Sequence, residues 1–150
     1  ATANSQLGSY TVTAVLGTGA QNTATFDLTN TLATAANLSV TAPMPATATI
    51  QTPYAGGLTA TVTDANNAPV QGVSVTFAVP VSGASATFAG SASQVVVTDA
   101  SGIATSTAPM ANATAGVFNV TVTVSGIAPE AVELTNVSGA ATALAIVSGD

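Results

Sequence analysis

The sequence predicts an all-β chain folded as a β-sandwich. Apolar and polar residues alternate with period two in one segment after another. Turn-forming residues separate these segments at short intervals, and no segment carries a helical apolar stripe. The expected strands run in order. Leu38 to Val40 comes first, followed by the alternating Leu58-Thr59-Ala60-Thr61-Val62 and Val73-Ser74-Val75-Thr76-Phe77. Ala86 to Phe88, Gln94 to Thr98 and Ile103 to Thr107 are shorter, Phe118 to Val124 alternates over seven residues, and Ala131 to Leu134 closes the series. In each, alternation puts the Val, Leu and Phe set on a core face and the Thr, Ser and Asn set toward water. Asp64-Ala65-Asn66-Asn67-Ala68-Pro69, Val81-Ser82-Gly83, Asp99-Ala100-Ser101-Gly102 and Ser125-Gly126 supply the turns.

Composition removes several functions. The 150 residues are 47% hydrophobic and 4% charged, with no Lys, Arg or His and a formal charge of −6. Without cations there is nothing to displace counterions from phosphates, so nucleic acid is not an expected partner. An anionic membrane surface is excluded on the same ground. No Cys is present, so no disulfide contributes. No apolar run reaches the length of a membrane-spanning helix, and Ala1-Thr2-Ala3-Asn4 lacks the start of a signal peptide. Any export signal is therefore expected outside this segment.

Internal repetition sets the domain organisation. Gly8-Ser9-Tyr10-Thr11-Val12-Thr13-Ala14-Val15 returns as Gly116-Val117-Phe118-Asn119-Val120-Thr121-Val122-Thr123, an offset of 108, and Ala3-Asn4 returns as Ala111-Asn112. Leu28-Thr29-Asn30 returns as Leu134-Thr135-Asn136, and Leu38 as Leu144, at an offset of 106. The two-residue difference falls in the loop after Gly17 or Gly126, where length changes cost little. A period near 106 suits a domain of immunoglobulin size. The expected organisation is the closing strands of one repeat in residues 1–32, a complete domain in 33–138, and the opening strand of another repeat in 139–150.

The order of blocks resembles the bacterial immunoglobulin-like repeats of the invasin and intimin type. Leu58-Thr59-Ala60-Thr61-Val62-Thr63-Asp64, Ala68-Pro69-Val70-Gln71-Gly72-Val73-Ser74-Val75-Thr76-Phe77 and Ala86-Thr87-Phe88 carry the resemblance. Val97-Thr98-Asp99-Ala100-Ser101-Gly102-Ile103-Ala104-Thr105, Ala115-Gly116-Val117-Phe118-Asn119-Val120-Thr121-Val122 and Leu134-Thr135-Asn136 continue it. The resemblance implies an immunoglobulin-like Greek-key β-sandwich. It also implies a tandem array at the cell surface or outside the cell, whose repeats hold a binding tip away from the cell. Val40-Thr41-Ala42-Pro43-Met44 departs from the opening-strand pattern that Val147-Ser148-Gly149-Asp150 follows.

Candidate sites are few. With no His, Cys, Lys or Arg, the chain has no Ser–His pair, thiolate, Schiff-base amine or imidazole ligand, and it is not expected to be an enzyme. Glu130 and Glu133 are the nearest carboxylate pair, but three residues apart on a strand they point to opposite faces. Calcium is the more serious candidate. Asp64 and Asn66, with Asn67, offer hard oxygens in one turn, and Asp99 with Ser101 offers them in another; Glu130, Glu133 or Asp150 could add to them at a junction between repeats. Calcium takes six to eight such ligands. The competing reading is that Asp64 and Asp99 accept backbone N–H bonds in Asx turns, with Gly102 at positive φ. Asn37, Asn112, Asn119 and Asn136 each begin an Asn-X-Ser/Thr acceptor pattern. Tyr54, Phe77, Phe88 and Phe118 read as core or rim packing.

The expected function is that of a structural spacer repeat in a secreted or cell-surface adhesin or extracellular fibre, with neighbouring repeats of the same kind as its partners. The alternatives are a filament subunit assembled by strand donation, or a module binding a carbohydrate or receptor through its loops.

Overall fold

The computed structural model describes residues 8–16, 23–30 and 33–140. The expected opening strand at 139–150, with Leu144 and Asp150, lies beyond Ala140 outside the described residues, as do Ala3 and Asn4. The chain divides into two compact units, Ala1–Ala33 and Thr34–Asp150.

In the first unit, β1 (Gly8–Val15) and β2 (Thr23–Asn30) form an antiparallel pair with Tyr10 opposite Leu28 and Val12 opposite Phe26. Alternation gives this pair two unlike faces. Tyr10, Val12, Ala14, Ala24, Phe26 and Leu28 share the apolar one. On the other, the Ser9 and Thr29 hydroxyls pair at 2.9 Å and the Thr11 hydroxyl donates to Asp27 Oδ1 at 2.7 Å.

The second unit is all-β, with no helix among the described residues. Its strands are β3 (Asn37–Thr41), β4 (Thr47–Thr49), β5 (Thr59–Thr63), β6 (Ser74–Ala78), β7 (Ala86–Thr87), β8 (Ser93–Val97), β9 (Ile103–Thr105), β10 (Met110–Ala111), β11 (Gly116–Val124) and β12 (Glu130–Val137). One sheet has the order β3-β5-β9 and the other β4-β12-β11-β6-β8, while β7 and β10 pair separately. Every pairing inside the two main sheets is antiparallel except β4 with β12, which run parallel.

The two sheets pack into one core, as the alternation requires. From the three-stranded sheet come Ala60, Val62 and Ala104; from the five-stranded sheet come Val75, Phe77, Phe118, Val120, Val122 and Leu134. On β11 the pattern is strict: Phe118, Val120, Val122 and Val124 are buried, and Val117, Asn119 and Thr121 between them are exposed. Phe77 stands opposite Val122, and its ring centroid is 6.2 Å from that of Phe88. This tilted arrangement suits the aromatic quadrupoles.

Strand direction decides where the chain meets the unit and where it leaves. The start of β3 lies beside the end of β5, with Asn37 opposite Thr63. The turn after β5 and the turn before β9 are at that same end, together with the start of β6 and the end of β8, since Ser74 faces Val97. The β11–β12 connection is there too, because Val124 faces Val75. β12 therefore runs away from this end, and Val137 finishes at the far one, where Asn136 reaches Ser85 and Thr114. The polypeptide enters the sandwich at one pole and leaves at the other.

Candidate functional site

The candidate calcium residues fall in two turns at the pole where β3 begins, and the two turns have the same construction. Asp64 Oδ1 accepts the backbone N–H of Asn66 at 2.8 Å and of Ala68 at 2.9 Å. Asp99 Oδ1 accepts the N–H of Ser101 at 2.8 Å and of Ile103 at 3.0 Å. Each acid thus satisfies the second and fourth amides beyond it, and the residue between them is left-handed: Asn67 at φ 61° and Gly102 at φ 72°. These are the residue types that take this conformation with least strain. Gly102 is also constrained by space, since a Cβ there would lie 2.5 Å from the Val62 carbonyl oxygen. Asn37 Nδ2 donates to the Asp64 carbonyl at 2.8 Å and ties β3 to the first turn.

In each turn one carboxylate oxygen is thus occupied by two amide protons, and Asn66 contributes its backbone N–H to Asp64. Among the described residues, no three acidic, His or Cys side chains gather as a metal-binding group. The hydrogen bonds present are those of two turns capped by their own aspartates. The melting temperature is expected to be equal in chelator and in millimolar Ca²⁺, because a ligand raises stability only by binding the folded state. A rise of several degrees, abolished by Asp64→Asn or Asp99→Asn, would establish calcium there. Glu130 and Glu133 sit on opposite faces of β12: Glu130 shares its parity with the inward Leu134, and Glu133 faces Asn119 on the outer surface.

The opposite pole holds a buried polar cluster that alternation could not reveal. Asn136 is 2% exposed. Its Oδ1 accepts the Tyr54 hydroxyl at 2.7 Å, and its two Nδ2 protons are shared among the Ser85 carbonyl at 2.8 Å, Asn112 Oδ1 at 3.0 Å and the Thr114 carbonyl at 3.1 Å. Asn112 Oδ1 also accepts the backbone amides of Ser85 and Thr114, and its Nδ2 donates to the Gly83 carbonyl. The Ser85 hydroxyl donates to the Pro80 carbonyl. One side chain on β12 thereby joins three loops. Among the described residues no buried side-chain nitrogen or oxygen lacks a partner. A fully satisfied buried network of this kind fixes the loops it bridges.

The network also sorts the acceptor-pattern asparagines. The Asn136 and Asn112 amides are donors inside the fold, and that of Asn37 is engaged by Asp64, whereas Asn119 stands exposed on the outer face of β11. The Asn-Val-Ser and Asn-Ala-Thr patterns at 136 and 112 therefore do structural work.

Burial pushes the Tyr54 phenol from its usual 10.0 up to about 12. A phenol that ionises near pH 10 in the unfolded chain and near 12 in the folded one leaves the folded state with more bound protons between those values. Stability contributed by the neutral phenol is therefore intact below pH 10 and falls as the pH rises toward 12. The expected loss is on the order of 1–2 kcal/mol. The chain has no Lys, Arg or Cys to confuse this window, and Tyr10 is the only other phenol. Urea midpoints at pH 9 and 11.5 should show the decline, and Tyr54→Phe should flatten it.

Tyr54 and Asn136 lie 82 positions apart. Two sequence signals fall on Asn136, its recurrence in Leu-Thr-Asn at residues 28–30 and 134–136 and its place in the Asn-Val-Ser pattern, and neither names Tyr54 as its partner. Comparison with family models and with curated proteins finds no match for this chain.

Proposed function

We propose that the 33–138 domain is a structural spacer repeat, one bead of a tandem array in a secreted or cell-surface adhesin or extracellular fibre. It follows the immunoglobulin-like plan of the bacterial repeats it resembles, with neighbouring repeats as its partners. The observation that carries this reading is the path of the chain: β3 starts at one pole and β12 ends at the other. Copies joined in sequence then extend in a line instead of folding back beside one another. Composition agrees. A coat of Thr, Ser and Asn with 4% charged residues is solvated yet has no cationic patch for nucleic acid or anionic lipid.

Chain length in solution tests the proposal. β11 has nine residues, and a strand of that size spans about 30 Å. Fusions of one, two and three copies of residues 33–138 should each melt cooperatively, and their maximum dimension by small-angle scattering should grow by about 30–40 Å per copy. A nearly constant maximum dimension would mean that repeats pack side by side and would sink the spacer reading. If residues 33–138 fail to fold without 1–32, the N-terminal segment belongs to the sandwich, and a filament built by strand donation becomes the better account. Binding of the chain to a glycan array would favour the ligand-binding module instead.

A further inference from the structure

The β1–β2 pair reproduces the β11–β12 pair residue for residue. Gly8 faces Asn30 as Gly116 faces Asn136, Tyr10 faces Leu28 as Phe118 faces Leu134, and Val12 faces Phe26 as Val120 faces Val132. Gly8 and Gly116, each at the start of the first strand, both take positive φ, 125° and 143°. The recurrence seen in sequence is thus a recurrence of register, cross-strand partner and backbone conformation.

What differs is the cover. In the second pair Phe118 is 5% exposed and Leu134 fully buried; the corresponding Tyr10 and Leu28 are 38% and 37% exposed, and Phe26 is 55% exposed. β11 gains part of its cover by pairing its outer edge with β6, Thr121 opposite Ala78 and Thr123 opposite Thr76, which seats Phe77 and Val75 beside Val122 and Val124. Among the described residues β1 pairs with β2 and with no strand along its other edge. In the shared register the open positions that match 121–124 are Thr13, Ala14, Val15 and Leu16, and Val15 and Leu16 are 60% and 78% exposed.

We propose that the outer edge of β1 and the apolar face of the β1–β2 pair form a docking site for one occupant: an extended, uncharged β-strand with the alternation of Ser74–Ala78, contributed by another repeat of this kind. The strand adds antiparallel to β1 at Thr13–Leu16. Main-chain hydrogen bonds extend the sheet, and the two inward apolar side chains cover Val12, Ala14 and Phe26, the mode of strand addition at an open edge. The identity of the occupant rests on the repeat relationship in the proposed function. Its geometry rests on the β6–β11 pairing within this molecule.

Disulfide trapping tests the register directly, because the chain has no cysteine of its own. The full chain carrying Thr13→Cys is mixed, under a glutathione redox buffer, with a synthetic peptide of residues 71–80 carrying either Ala78→Cys or Thr76→Cys; the chain carrying Val15→Cys is treated in the same way. Directly opposed positions on adjacent strands bring their Cβ atoms within reach of a disulfide, and positions two residues out of step do not. The Thr13→Cys chain should trap the Ala78→Cys peptide at least about tenfold faster than the Thr76→Cys peptide. The Val15→Cys chain should show the reverse preference, and Phe77→Asp in either peptide should abolish trapping. Equal rates in both registers, trapping no faster than with a scrambled peptide, or chain-to-chain dimers through β1 that exclude the peptide would each overturn the proposal. None of these outcomes bears on the length of the fused arrays, so failure here is distinct from failure of the spacer reading.

Discussion

Phe77→Ala should lower the stability of the sandwich by about 3–5 kcal/mol, the range for a large buried ring removed from a packed core. The ring is fully buried, stands opposite Val122 on β11 and Gln94 on β8, and packs against Phe88. Strands on both sides are held by their ladders and cannot close over the cavity, so little of the loss is recovered by relaxation. Thr76, one position earlier on the same strand, points to the outer face beside Thr123 and Val95. Its change to Ala should cost less than about 1 kcal/mol. Chemical denaturation of both variants checks the contrast, and equal midpoints would mean that the face assignment of β6 is wrong.

Asn136→Ala should be the most damaging polar substitution, at about 2–4 kcal/mol, because it removes every bond of the amide at once and leaves the buried Tyr54 hydroxyl without its acceptor. The Tyr54 hydroxyl loses its acceptor, while the Ser85 and Thr114 carbonyls lose a donor. Tyr54→Phe removes only one end of one bond and should cost about 1–2 kcal/mol. The two substitutions share a contact, so their effects should not add. A double-mutant cycle is expected to return a coupling of at least about 0.5 kcal/mol. Strict additivity would show that the 2.7 Å bond between them contributes nothing measurable.

The alternating segments were the most legible part of this chain, and the reason is local. A strand with one wet face and one dry face needs period two wherever it sits, so Leu58 to Val62, Val73 to Phe77 and Phe118 to Val124 announced themselves within one or two residues of β5, β6 and β11. The two acid-capped turns were legible too, because an aspartate that accepts the second and fourth amides beyond it acts within its own turn. β4 and β10 were not. Three residues at Thr47–Thr49 and two at Met110–Ala111 are too short for any period, and they become strands only because a neighbour's edge passes beside them.

The all-β class, the strands of the core, the construction of the two turns and the recurrence of one hairpin motif are written in the order of residues, because all of them depend on residues close together in the chain. Which edges pair, the parallel seating of β4 on β12, the opposite poles at which the chain enters and leaves, and the meeting of Tyr54 with Asn136 emerge only in the folded molecule. Each of these is a contact between distant segments, and alternation specifies which face a strand buries without naming the strand that will lie against it. Tyr54 and Asn136 carry no local mark of their bond, because a buried hydrogen bond is defined by the partner that desolvation forces each group to find.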